Sequence, residues 1–481
     1  VCGRSATLTP LAFAARFASS LAREYGPFGA PKALLADALG GRRVRLDADV
    51  DAYRRVLSGD CAVDELETLL ALTARHFHEP LKRSAGRLET LKRLARENVR
   101  ERWRDPKARY AKAIDEVNTR DHPYWRPASL ADVDTFDAAA SADFYDAAFS
   151  SPEGFALCFS GTFDVDDAAL EELVKAYLGP LRPRGDVDRP EDAAFGFGEG
   201  SGALPAFGAA RTIAPLDARF PDGGPHVRVV HAPLASVETD DDAALRGCQS
   251  RLSFPVKVAG VGADDVETSR DRLRENATLE VAAMILESKL VESLRFSASK
   301  VYDVSSRISF ATADPLNDAA TVLAGVLGVS ASHDPDAADF LESKVLETIA
   351  ALTSEGPARR DLDNALAAAK NDRSELLRRN TFWAPALAAT VLTPRYRGDL
   401  GATYAETHTV RDDLHAALGE ASGPDAVRAA LARATGRLEN RTKVRLAPAR
   451  PLLGARPTLV VAAAAAAAAA ALGAVVVARR R

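Results

Sequence analysis

The sequence predicts an α+β protein of two domains, each a sheet flanked by helices, and three observations carry that prediction. The apolar period changes from helical spacing to the short run Phe155-Ala-Leu-Cys-Phe-Ser160, which is bounded by Gly154 and Gly161 and reads as a buried strand. Between Pro183 and Pro215 the composition shifts to Gly, Pro and Asp around Phe195-Gly-Phe-Gly-Glu-Gly-Ser-Gly202, which reads as a linker. Beyond it the order of elements repeats. The domains are placed at residues 1–195 and 216–450, with the linker at 196–215.

In the first domain, Leu66, Leu69, Leu70, Leu72 and Ala74 recur at helical spacing, and a second periodic run covers Leu88 to Val99, with Pro80 between them. A turn-rich stretch at His122-Pro123-Tyr124 precedes a helix over Val133 to Phe149, for which Asp134 or Ser141 can serve as cap. The strand at 155–160 leads through Thr162–Asp167 to a helical pattern over Ala168 to Leu178. In the second domain, strands are expected at Val227–His231 and Arg251–Val258, followed by a helix over Leu273 to Leu294. A strand near Val301 to Phe310 and a long helix over Pro335 to Leu352 come next. Helical patterns follow from Asp361 to Arg379 and from Asp425 to Thr435, and Lys443 to Leu446 closes the domain as a strand.

A chain of 481 residues with 47% apolar content can bury sizeable cores. Its 62 basic and 67 acidic residues give a formal charge of -5 without long blocks of one sign, so no nucleic-acid surface is indicated. Cys2, Cys61, Cys158 and Cys248 lie far apart, which argues against a zinc knuckle or a disulfide framework and for a reducing compartment. The chain opens on valine, and Arg4 and Arg16 among alanines read as a chain continuing from upstream rather than as a transit peptide. Thr458 to Ala478 is an uncharged run of 21 residues between Arg456 and Arg479. That is long enough to span a bilayer as a helix, so a tail anchor over 458–478 and a membrane location are expected. The alternative is a low-complexity alanine helix of a cytoplasmic or organellar protein.

Motifs that carry chemistry are few. The glycine-rich stretch lacks the strand before it and the lysine after it that a phosphate loop needs. No Gly-x-Ser-x-Gly turn occurs, and Ser160-Gly161 belongs to the strand end. Among the eight histidines, the nearest approach to a zinc motif is His76-Phe-His-Glu79, where Pro80 stands in place of a second ligand and would break the helix. His226, His231 and His333 have no partner at motif spacing and read as surface or packing residues. His408, Asp412 and His415 share a face if their segment is helical; a solvated helix face is the plainer account. Trp103, Trp125 and Trp383 read as packing residues.

Four passages, in order and spacing, resemble the pitrilysin/insulinase type of zinc metallopeptidase, most closely its PqqL-like branch. They are Tyr53–Cys61 with Asp64–Leu72; Asp105-Pro106, His122–Pro127, Phe144-Tyr145 and Phe159–Asp164; Leu286–Arg295 with Val301-Tyr302; and Glu355–Pro357, Asp361–Lys370, Asn380–Trp383 and Gly398–Gly401. The resemblance implies two homologous processing-peptidase-like domains, corresponding to the third, lacking its first strands, and the fourth of four. Such domains form two halves that close around an unfolded peptide. It also implies that zinc belongs to another, amino-terminal half, in the same polypeptide or a separate chain, since the inverted motif His-x-x-Glu-His is absent here. The chain is then the substrate-binding, chamber-closing half of an endopeptidase acting on peptides. The alternative is a non-catalytic subunit or a membrane-tethered interaction protein of the same fold.

Under this resemblance Arg295 and Tyr302, seven apart, reach toward the zinc of the other half, the guanidinium holding a peptide carbonyl and the phenol donating to the oxyanion. From the residues alone the plainer account is that Arg295 is a helix-ending cation and Tyr302 an ordinary strand aromatic; the resemblance reverses that preference. Phe296-Ser-Ala-Ser-Lys300 departs from the family's usual acidic residue and glycine at this point.

Overall fold

Spacing and caps account for the helices of the first part of the chain. In this computed structural model the described residues are 8–26, 32–50, 55–81, 83, 85–122, 126–152, 155–181, 220–232, 248–257, 266–297, 301–310, 324–391, 398–436 and 438–447. Helices α1 (Leu8–Tyr25) and α2 (Lys32–Ala38) precede an antiparallel hairpin of β1 (Val44–Val50) and β2 (Arg55–Cys61). Then come α3 (Leu66–His78), α4 (Ala85–Arg104), α5 (Pro106–Asn118), α6 (Leu130–Asp134), α7 (Ala138–Ala148) and α8 (Asp167–Leu178). Asp105 caps α5 by accepting from the Lys107 N–H, with Pro106 at the first helical position, where its missing N–H costs nothing. Leu21, Phe77, Leu91, Phe136, Tyr145 and Phe149 make the core of this part.

Two expectations for this region are corrected. The run Val133–Phe149 is two helices, not one, and the caps are Ser129, in a capping box with Asp132, and Asp137. Asp134 instead ends α6, and Ser141 is buried within α7. The predicted strand Phe155–Ser160 joins no sheet among the described residues. Its apolar character has another use: the Phe155 ring packs 4.9 Å from Phe77 and 6.0 Å from Phe149, centroid to centroid.

The later part is organised by a five-stranded sheet with spatial order β3-β7-β4-β6-β5. The strands are β3 (His226–His231), β4 (Cys248–Lys257), β5 (Val301–Phe310), β6 (Ala324–His333) and β7 (Thr442–Ala447); β3 runs parallel to β7 and the other neighbours are antiparallel. The helices are α9 (Val266–Ser297), α10 (Ala338–Ser354), α11 (Arg359–Leu377), α12 (Asn380–Val391), α13 (Leu400–Leu418) and α14 (Gly423–Thr435). Strand β6, between β4 and β5, was not expected from the sequence.

Helix α9 is the hub. Leu279, Val281, Ala282, Ile285, Leu286 and Leu290 are buried to 1% exposure or less, and they face the sheet on one side and other helices elsewhere. A helix apolar around so much of its circumference is stable only when enclosed. Each such leucine or isoleucine contributes about 1.5–3 kcal/mol by leaving water. From the sheet, Leu252, Phe254, Leu327, Val329 and Ala331 complete this second core, alternating along their strands as the pleat requires.

Helix α5 joins the two parts by lying over β3 and β7. Arg109 Nη2 donates to the His231 carbonyl at 2.6 Å, and Asn118 accepts from Thr442 Oγ1 at 2.6 Å while donating to Ser253 Oγ at 3.2 Å. Ser160 Oγ donates to the Asn380 carbonyl at 3.1 Å. The linker at 196–215 and the apolar run 458–478 lie outside the described residues. Among the described residues no helix is long and apolar enough to cross a membrane.

Candidate functional site

The last turn of α9 and the start of β5 carry the two residues singled out in the sequence. Glu287 of α9 accepts the Ser306 N–H of β5 at 2.8 Å, and Lys289 pairs with Asp361 of α11 at 2.6 Å, so the helix is tied to both sheet and neighbour before its last turn. Arg295 lies in that last turn, and its side chain is outside the described residues. Tyr302 follows at the second position of β5. The two therefore share one end of the sheet.

Tyr302 sits where the β5–β6 register slips: Val301 is opposite His333 and Asp303 opposite Ser332, which leaves Tyr302 as the extra residue of a bulge. A bulge re-aims a side chain, and this one is 66% exposed. Its hydroxyl donates to the Asp334 carboxylate. That hydrogen bond, helped by desolvation and by the nearby negative charge of Asp334 and Asp336, raises the phenol above its ordinary pKa. The proton stays on the oxygen at neutral pH, which is what a hydrogen-bond donor needs.

Asp334 is in turn fixed by His333, which the sequence alone reads as a surface or packing residue. His333 is fully buried; its Nδ1–H donates to the Asp334 carbonyl at 2.7 Å, so Nε2 accepts from the Ser250 hydroxyl at 2.8 Å. A serine hydroxyl on a histidine nitrogen has the form of a nucleophile and its base. Here both groups are closed to solvent and the third partner is a backbone carbonyl, so the set is structural: it holds the corner that carries Asp334. Burial is the first cause of the lowered pKa of His333, with Arg445 and Lys443 adding to it.

A depressed folded-state pKa means that protonation favours unfolding. The stability His333 contributes is present above about pH 6.5, its unfolded value, and is lost as pH falls through the lower folded value. Urea midpoints should therefore fall between pH 7.5 and 5.5, and fall less in His333→Gln. An equal fall in both proteins would contradict this.

The described residues do not fit a zinc ion. His76 is packed in the first core, 4.7 Å edge-on to Phe149 and hydrogen-bonded to Tyr145, so it cannot turn to a metal beside His78 and Glu79. The segment of His408, Asp412 and His415 is helical, as α13, but the His408 side chain is outside the described residues. Burial and the neighbouring Arg411 cation lower the His415 pKa, and Arg411 itself pairs with Glu280 at 2.9 Å. Among the described residues no three His, Cys, Asp or Glu side chains are grouped to hold a metal.

Residues 135–369 match the family described as the peptidase M16 inactive domain, and the resemblance to PqqL-type zinc proteases is borne out. A zinc protease PQQL-like of Arabidopsis thaliana is 22% identical over 369 residues, covering 77% of this chain and 34% of its own length. The chain thus spans about a third of that curated relative. The periplasmic protease PqqL from Escherichia coli shares the fold with a TM-score of 0.57 at 14% identity, over 92% of this chain and 41% of that one. The peptidase M16 inactive domain from Pseudomonas fluorescens does so with a TM-score of 0.53 at 16% identity, over 91% and 90%.

Proposed function

We propose that this chain is the substrate-binding, chamber-closing half of a zinc metalloendopeptidase acting on peptides, with the metal supplied by an amino-terminal half, in the same polypeptide or in a separate chain. The observation that carries this reading is the match of residues 135–369 to an inactive peptidase domain. The absence of a His-x-x-Glu-His run from all 481 residues agrees with it. Zinc held by that half would supply the Lewis-acid chemistry for the attacking water and the scissile carbonyl. The contribution of this chain is electrostatic and positional: Tyr302 presents a protonated, outward-facing phenol at a bulge, and Arg295 closes the helix seven residues earlier. A phenol aimed where oxyanion charge develops and a guanidinium on a peptide carbonyl are the two tasks left to the wall opposite a metal. For transfer of that donation, the phenol must exchange its Asp334 partner for substrate. The test is peptide hydrolysis by the chain before and after addition of a zinc-bearing half. Activity should appear on mixing and should be lowered by Arg295→Ala.

A further inference from the structure

Two arginines meet on the face of the five-stranded sheet turned away from α9. Leu252 and Phe254 of β4 and Val304 of β5 point into the helical core, so Arg251 and Arg307, one position off in the alternation, point to the other side. In register, Arg251 is opposite Ser330 of β6, and Arg307 is opposite Gly328. The Arg251 side chain crosses β6 diagonally. Its Nη1 donates to Ser330 Oγ at 2.8 Å, and its Nη2 occupies the place where a Cβ at position 328 would stand. The guanidinium therefore rests on the bare backbone of Gly328, and any side chain there would push it off.

Both arginines are thus brought to the same glycine, one lying on it and one paired beside it. Burial first makes Arg251 harder to protonate than an ordinary arginine; Tyr110 opposes that shift and the charge of Arg307 adds to it. Among the described residues neither guanidinium has a carboxylate partner; on this face Arg251 is flanked by Tyr110 of α5 and the buried Val444 and Ser253 on one side and by Ser330 and Ser305 on the other, none of which carries a neutralising charge at neutral pH. Two like charges held together without a counter-ion cost free energy that an anion would recover. Guanidinium forks bind carboxylates bidentately, and half-buried forks do so more strongly than solvated ones.

We propose that Arg251 and Arg307 form a receptor for the side-chain carboxylates of an extended acidic peptide lying along the β5–β6 side of this face, beside the part that α5 covers. This deepens the reading of the chain as a peptide-binding half and rests on it. General attraction does not account for such a preference, because the chain carries a formal charge of -5.

The experiment uses the full chain alone. A fluorescein-labelled 14-residue peptide of alternating serine and glutamate is titrated at low ionic strength beside its serine–glutamine counterpart, and binding is read by fluorescence anisotropy. The glutamate peptide should bind at least about tenfold more tightly, as loss of a charge-assisted pair implies. In Arg307→Gln, at an exposed position, the preference should shrink to within about twofold. Gly328→Ala keeps both charges but displaces the Arg251 fork, and it should shrink the preference as well. Equal binding of the two peptides, no binding of either, or a preference that survives Arg307→Gln overturns the proposal. Because the readout needs neither zinc nor the other half, its failure leaves the half-enzyme reading standing. Conversely, mixed halves that fail to hydrolyse peptide would leave a measured carboxylate preference intact.

Discussion

In an enzyme assembled from this chain and a zinc-bearing half, Tyr302→Phe is expected to lower kcat/KM by about 10²–10³-fold, equivalent to about 2.7–4 kcal/mol of transition-state stabilisation. The substitution removes one hydroxyl from a side chain that is 66% exposed, so the fold should be unaffected and the thermal midpoint should stay within a degree or two of the parent, by an order-of-magnitude allowance for surface changes. The bulge and Asp334 are the source of this effect. The bulge turns Tyr302 out of the strand alternation, and the carboxylate keeps its proton in place through neutral pH. Because donation to an oxyanion develops in the transition state, the loss should fall mainly on kcat. An ordinary strand aromatic at this position would show no such loss, and an unchanged kcat/KM would remove Tyr302 from the mechanism.

The second large effect concerns the core that supports this site. Phe254 of β4 is 1% exposed, pairs with Leu327 of β6 and packs in the cluster built around α9. Phe254→Ala removes a ring from a closed interior and leaves a cavity that the surrounding helices cannot fill, at a cost of about 3–5 kcal/mol. The urea midpoint should fall accordingly. Val229→Ala, on β3 of the same sheet but 43% exposed, should change it by less than about 0.5 kcal/mol. Similar losses in the two variants would contradict the account of where the core lies.

How far the sequence reveals this structure depends on the kind of signal each segment carries. Strand β5 spans Val301–Phe310 as expected, and β7 and β4 lie within a few residues of their expected limits. In each, β-branched or apolar residues cluster between breakers. Strand β6 escapes because Ala324-Gly-Val-Leu-Gly-Val-Ser-Ala-Ser-His333 is rich in glycine, serine and alanine, which have weak strand preference. The buried set Leu327, Val329, Ala331 and His333 still alternates with period two, and that was the available clue. Phe155–Ser160 misleads for the opposite reason: it is apolar because Phe155 fills the first core, although the segment has no ladder among the described residues.

The candidate site divides in the same way. Arg295 and Tyr302 are close in sequence, so a short connection between a helix end and a strand start is enough to place them at one end of the sheet. Ser250 and Tyr302 come from distant positions and meet the adjacent pair His333-Asp334 only through the β4–β6 and β5–β6 registers. No local spacing reports such a meeting. Arg251 and Arg307 are similarly brought together by Gly328, whose role depends on what crosses it rather than on its own turn chemistry.

The most direct test of the central claim is zinc content and peptide hydrolysis of the purified chain alone, after equilibration with zinc, and again after addition of a zinc-bearing half. The account predicts no stoichiometric zinc and no hydrolysis in the chain alone, with zinc-dependent hydrolysis appearing on mixing. One zinc per chain with hydrolysis in the absence of the other half would contradict it.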